Sequence, residues 1–284
     1  MPSEAGTLLA PPAWRLVDFI SDLHLQASEP ATFAAWHDYM LRSRADAIFI
    51  LGDLIEAWVG DDAATEPGSF EHACANVLKQ AAEMRPVFFM QGNRDFLVGQ
   101  DLMRQCGATL LADPAVLDFG GTRWLLSHGD QLCLADTDYL KFRAVVRSAE
   151  WQSDFLAKPL PERRAIARDL RQQSEALKRS ARAYADVVAD VDAAAAATWL
   201  RDARASHLIH GHTHKPGDQS LDSGLQRIVL SDWDVSAQPP RAQVLRLSLP
   251  DAGVTQATTW HRSAWHSVQR GLGVLPNQEG AAGG

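Results

Sequence analysis

Residues Ala47-Ile48-Phe49-Ile50-Leu51-Gly52-Asp53 form a short apolar run broken by a glycine and a carboxylate. Such a run, bounded by a turn signal, predicts a buried strand, with Gly52-Asp53 in the loop that leaves it. The same arrangement occurs on either side. Leu16 to Ile20 leads into Ser21-Asp22-Leu23-His24, and Val87 to Met90 leads into Gln91-Gly92-Asn93-Arg94-Asp95, with helical patterning after each loop. Strand, loop and helix in alternation predict βαβ units and an α/β fold.

Further along, Val116 to Phe119 and Arg123 to Leu126 flank Gly120-Gly121, which predicts a hairpin. From Asp138 to Leu200 the pattern turns helical and rich in Ala, Arg and Leu, broken at Lys158 to Pro161. Strand patterns resume at His207 to Ile209, Gln226 to Leu230 and Ala242 to Leu249. The expected organisation is a core over 1–137 and 201–262, a helical insertion over 138–200, and a tail over 263–284 that is disordered after Leu275.

Composition narrows the class. A chain of 284 residues with 46% hydrophobic content suits a globular protein. Cys74, Cys106 and Cys133 fit no metal or redox spacing, which points to a reducing cytoplasm. No apolar run approaches the roughly 20 residues that span a bilayer, and Met1 to Trp14 lacks an export pattern. A net charge of −8 argues against nucleic acid as a partner. Lys141 to Arg182 reverses that balance, with 11 basic and 5 acidic residues, and is expected to meet anions.

Five polar blocks follow the expected strands: Asp22-Leu23-His24, Gly52-Asp53, Gly92-Asn93-Arg94-Asp95, His128-Gly129-Asp130 and Gly211-His212-Thr213-His214. Strand ends are where open α/β sheets place their binding crevice. Carboxylates, imidazoles and an amide oxygen without thiolates suit Mn²⁺, Fe or Zn²⁺ better than Mg²⁺ or Ca²⁺. Asp22, His24, Asp53, Asn93, His128, His212 and His214 exceed what one ion needs, so two ions sharing Asp53 are expected. Singly, each block has a plainer reading as a turn or helix cap. His37, His72, His207, His261 and His266 lie outside the blocks, and His210 should point away from them along its strand.

From Leu16 to Trp233 the ordered blocks resemble the calcineurin-like metallophosphoesterase superfamily. The resemblance implies a four-layer β-sandwich flanked by helices, here with an inserted helical lid. It also implies that Asp22, His24, Asp53 and His214 hold one ion, and Asp53, Asn93, His128 and His212 the other.

Within that superfamily, Gly52-Asp53-Leu54-Ile55-Glu56-Ala57-Trp58, Gly92-Asn93-Arg94-Asp95-Phe96, Phe142-Arg143 and Gly211-His212-Thr213-His214-Lys215-Pro216 are similar to the pyrophosphohydrolases of lipid A biosynthesis. Those enzymes split UDP-2,3-diacylglucosamine into UMP and 2,3-diacylglucosamine 1-phosphate (lipid X). The resemblance implies attack on the α-phosphorus by a hydroxide activated by two metal ions, with Asp53, Asn93, Arg94 and His128 catalytic. It further implies Mn²⁺ and substrate contacts from Asn93, Arg94, Asp136, Ser174, Lys178 and His212; a monomer is expected, though the sequence itself leaves the oligomeric state open. The expected location is cytoplasmic, peripheral on the inner face of the inner membrane, next to an amphiphilic nucleotide-sugar lipid.

Arg94 gives this narrower reading a physical basis. Many phosphomonoesterases of the superfamily carry a histidine there that protonates the leaving alkoxide, and an arginine cannot lend a proton. A phosphate leaving group, with a second pKa of roughly 6, departs without one. In the insertion Phe142, Val145, Val146, Trp151, Phe155, Leu156, Ile166 and Leu170 alternate with arginines, as in a lid for acyl chains or plain helix packing. Two alternatives stay open: a metallophosphoesterase of soluble nucleotides or phosphodiesters, and a non-enzymatic scaffold.

Overall fold

The computed structural model of the chain describes residues 6–180, 190–250 and 258–265, with the side chains of 173–180 left out. The opening apolar runs form β2 (Leu16–Ile20), β3 (Ala47–Leu51) and β4 (Val87–Met90), which pair in parallel and continue into β5 (Thr109–Leu111). On the other side β11 (Gln243–Ser248) and β12 (Thr259–Ala264) complete a sheet of order β12-β11-β2-β3-β4-β5. The second sheet has the order β1-β6-β7-β8-β10-β9. Its strands are β1 (Thr7–Leu9), β6 (Ala115–Phe119), β7 (Thr122–Ser127), β8 (His207–His210), β9 (Gly217–Ser220) and β10 (Gln226–Val229).

Alternation along the strands makes four layers. One face of the first sheet offers Phe19, Phe49, Phe88 and Met90 to Leu117, Trp124, Leu126, Ile209 and Ile228 of the second sheet. In register, Phe49 lies between Phe19 and Phe88, with ring centroids 5.0 and 4.5 Å away. Each such burial contributes about 1.5–3 kcal/mol. The other face carries Ile20, Ile48, Ile50 and Phe89 against Trp36, Tyr39 and Met40 of α1 (Pro30–Arg42) and Val77 and Leu78 of α2 (Phe70–Met84). Met103 of α3 (Gln100–Gln105) closes that side.

The expected hairpin is β6-β7. Gly120 and Gly121 take φ of 61° and 75°, the left-handed pair that a two-residue turn of matching twist requires.

Between the sandwich strands run α4 (Thr137–Val146), α5 (Ala149–Leu156), α6 (Leu160–Ser180) and α7 (Ala193–Asp202). Besides the break before α6, the helical stretch stops at Arg147, where Ser148 caps α5 by accepting from the Trp151 N–H at 3.3 Å. Pro161 sits in the first turn of α6, where a missing N–H costs nothing. Ala196 and Leu200 of α7 pack on Val116, Leu125 and Leu208 beneath the second sheet, as its outer layer. The expected disordered tail beyond Leu275 lies outside the described residues.

Candidate metal centre

Each polar block occupies the loop at one strand end, and the loops hold one another. The loop after β2 rests on the loop after β3, with Asp22 N–H donating to Gly52 O at 3.1 Å and His24 N–H to Asp53 O at 3.0 Å. Buried Asp95 ties that loop to the next, accepting from the N–H groups of Gly92 (2.7 Å), Leu54 (2.8 Å) and Asp53 (3.3 Å). Burial and the neighbouring Asp53 push the Asp95 carboxyl up to about 6. A side chain at Gly92 would strike the Asp53 carboxylate, so only glycine allows this approach.

Backbone strain concentrates here. Among the described residues, seven non-glycines have left-handed φ, and five of them are Asp22 (55°), His24 (48°), Asp53 (53°), His212 (67°) and His214 (52°). Each costs of order 1–3 kcal/mol, which persists only where the surroundings over-determine the conformation and commonly marks a working site.

The side chains of all seven expected ligands converge. His24 Nε2 lies 3.2 Å from His214 Nε2 and 3.9 Å from Asp53 Oδ2, while His214 Nε2 lies 3.4 Å from Asp22 Oδ1. On the other side Asn93 Oδ1 is 2.9 Å from His128 Nε2 and 2.8 Å from His212 Nδ1, and Asp53 Oδ1 is 3.7 Å from His128 Nε2. Donor atoms of Asp22, His24 and His214, and again of Asp22, Asp53 and His128, fall within 4.8 Å of one another. Ligands about 2.0–2.2 Å from a common ion stand at such separations.

Hydrogen bonding tests the fit. His128 Nδ1 donates to the Leu51 carbonyl at 2.9 Å, which leaves the Nε2 lone pair of a neutral ring facing the Asn93 oxygen. A proton on Nε2 satisfies that approach in the metal-free site, and a cation bound there would take its place. Burial opposes charge on His128, yet Asp53, Asp22 and Asp130 hold its pKa up at about 9. Burial and His128 together push His212 down to about 3, keeping its lone pair free for a ligand bond. The donor set therefore fits divalent cations.

Arg94 stands at the rim. Its backbone N–H donates to Asp53 Oδ1 at 2.8 Å, and its guanidinium lies 3.7 Å from Glu56 Oε1. Of the remaining expected substrate contacts, Asp136 caps α4 by accepting from the Tyr139 N–H at 3.1 Å. Ser174 and Lys178 lie on α6, but their side chains are outside the described residues. His210 lies against Gly129 and joins no ligand atom, with Nδ1 donating to Gly211 O and Nε2 accepting from Arg227 at 2.8 Å.

Four arginines of the helical stretch find carboxylates elsewhere in the protein. Arg143 reaches buried Asp130 at 2.7 Å, Arg163 pairs with Asp62, Arg164 with Glu66 and Glu71, and Arg171 lies 3.4 Å from Glu56. Arg147 donates to Gly92 O at 2.8 Å. Tyr139 donates to Asp130, and its ring stacks on His212 with centroids 6.0 Å apart. Residues 139, 143 and 147 repeat at four-residue spacing, so one face of α4 is dedicated to the site. That spacing was available in the sequence as a signal for Tyr139 and Arg147. Glu56 had no such signal: its Oε2 lies 2.8 Å from His24 Nδ1, a pairing across loops.

The apolar residues of this stretch divide. Val146 and Phe155 are buried and Trp151 and Ile166 pack on the core, whereas Phe142, Val145, Leu156 and Leu170 remain exposed.

Comparison with known proteins places these observations. Residues 16–216 match the family model for calcineurin-like phosphoesterases. The UDP-2,3-diacylglucosamine hydrolase of Chromohalobacter salexigens is 42% identical over 220 residues, 75% of this chain and 87% of that protein. A protein of the same name from Xanthomonas axonopodis pv. citri is 42% identical over 250 residues, 84% of this chain and 97% of that one. Among solved structures, an archaeal phosphodiesterase aligns at TM-score 0.42 and 10% identity, covering 87% of this chain and 99% of its own.

Proposed function

Given that the chain belongs to the calcineurin-like phosphoesterase family, we propose that it hydrolyses the diphosphate of UDP-2,3-diacylglucosamine to UMP and 2,3-diacylglucosamine 1-phosphate, in lipid A biosynthesis. The relatives named above support the substrate, since they share nearly their whole length with this chain. The convergence of seven N/O donors beside an arginine carries the reaction class.

Asp22, His24, Asp53 and His214 would hold one divalent ion, and Asp53, Asn93, His128 and His212 a second; we assign both as Mn²⁺. Bound there, such a pair supplies Lewis acidity toward the phosphates and toward the attacking water. The protein's own groups do the rest. Arg94 lays a fixed positive charge on the diphosphate, and the leaving phosphate, with a second pKa of roughly 6, needs no proton. Leu51 O fixes His128 in the tautomer that presents Nε2, and the Asp22 carboxylate accepts from the His212 N–H at 2.9 Å, which sets the last loop against the first. Asn93, Arg94, Asp136, Ser174, Lys178 and His212 are the proposed substrate contacts.

The helices α4, α5 and α6 of the insertion act in this reading as a lid, with exposed Phe142, Val145, Leu156 and Leu170 as its acyl-facing surface, while α7 belongs to the sandwich. No helix among the described residues is long and apolar enough to cross a membrane. We propose a monomer docked peripherally on the cytoplasmic face of the inner membrane, where an amphiphilic substrate resides.

Hydrolysis in H₂¹⁸O tests the chemistry. Label in UMP supports attack on the α-phosphorus; label in the sugar phosphate contradicts it.

A further inference from the structure

Glu56 sits in the loop after β3 and is nearly buried, at 8% exposure. Its backbone N–H donates to Leu25 O at 3.1 Å, so its loop is fixed against the loop that carries His24. The two carboxylate oxygens face different parts of the site. Oε2 lies 2.8 Å from His24 Nδ1. Oε1 lies 3.4 Å from Arg171 Nε on α6 and 3.7 Å from an Arg94 terminal nitrogen. A carboxylate this close to Nδ1 favours the proton on that nitrogen through its charge, although it lies off the ring's hydrogen-bond line, and so favours Nε2 as the lone-pair nitrogen. In His24 that nitrogen is the one directed at His214 and Asp53.

We propose that Glu56 is a positioning residue, holding His24 to the metal pair with one oxygen while the other holds Arg94 and Arg171 over the same pair. One side chain then links a metal ligand, the arginine assigned to the diphosphate and a helix of the insertion. Arg94 and Arg171 are of like charge and approach the same oxygen, so without Glu56 both lose the carboxylate that draws them together. Loss of Glu56 is therefore felt twice, at one ion and at substrate capture. The inference rests on the two-ion reading.

The test uses the full chain stripped of metal and titrated with Mn²⁺, as wild type and as Glu56→Gln, which keeps the volume and removes the charge. The expected result is an affinity loss of about 10–100-fold, the range for removing a metal ligand's outer partner, confined to one of the two ions. The metal-free melting temperature should stay within about 2 °C, less than a 1 kcal/mol change would give in a chain of this size. Unchanged affinity for both ions overturns the proposal. So does a loss at both ions together with a lower metal-free melting temperature, which is a purely structural role. The wild-type stoichiometry tests the two-ion reading separately.

The second arm is a double-mutant cycle with Arg171→Ala, read as KM for UDP-2,3-diacylglucosamine. Residues joined through one carboxylate give non-additive effects. The double variant should be no worse than Glu56→Gln alone, and multiplied KM effects overturn the link to α6.

Discussion

The amide oxygen of Asn93 lies 2.9 Å from Nε2 of His128, a nitrogen whose ring partner already donates to the chain. With the carboxylates of Asp22 and Asp53 beside them, these groups form an acceptor-rich corner in which a bound cation would replace the proton that His128 holds. Metal should therefore stabilise the fold as well as serve the reaction.

Removing metal should lower the melting temperature. Ligand at 100 times its dissociation constant contributes about 2.7 kcal/mol per site, and 1 kcal/mol moves a domain of this size by roughly 2–4 °C. With two sites, EDTA treatment followed by thermal unfolding should show a drop of about 10–20 °C, reversed by Mn²⁺. An unchanged melting temperature would contradict the ligand assignment.

Arg94→Ala should lower kcat/KM by about 100-fold or more, because a charge-assisted contact that strengthens as the diphosphate breaks is lost. Arg94→Lys should recover part of it through point charge without the planar fork. Steady-state kinetics on the three proteins decides this. Full activity in Arg94→Ala would remove the arginine from the mechanism.

Arg143→Ala should destabilise the protein by about 3–5 kcal/mol, since it leaves a buried carboxylate without its cation. That carboxylate is Asp130, which burial pushes up but His128 and Arg143 hold well below its ordinary range. Denaturant unfolding measures the effect, and a change below 1 kcal/mol would show that α4 is not anchored through this pair.

Stability should decline with pH above about 8.5, where free thiols ionise. Burial pushes the thiols of Cys106 up to about 11 and Cys133 up to about 12, and that of Cys74 up as well. A folded pKa above the unfolded one gives a contribution fully present below the unfolded value and lost as pH rises toward the folded one. Unfolding at pH 8 to 10 tests the slope. At pH 8 the native protein should resist a thiol-specific dye that labels all three cysteines after denaturation; rapid native labelling would contradict their burial.

How much of this was legible beforehand follows from which residues carry each element. The strands β2, β3, β4, β8, β10 and β11 and the β6-β7 hairpin were marked by apolar runs, because their side chains fill layers. β9 was silent: Gly217-Asp218-Gln219-Ser220 is polar and is held by backbone pairing to β10. β1 and β5, three residues each, are too short for a period to register. The five blocks were legible because each follows a strand. The links from Arg147 to Gly92 and from Arg171 to Glu56 were not, since they join residues 55 and 115 positions apart and depend on how the helices lie over the loops. The positive charge of the helical stretch was plain in the sequence, but its use against the protein's own carboxylates was not.

The most direct measurement is Mn²⁺-dependent hydrolysis of UDP-2,3-diacylglucosamine beside UDP-N-acetylglucosamine and p-nitrophenyl phosphate, with Asp53→Ala as control. The account predicts strong preference for the acylated substrate and loss of all turnover in the control. Equal or faster turnover of the acyl-free compounds would contradict the proposed substrate while leaving a metal-dependent phosphoesterase in place.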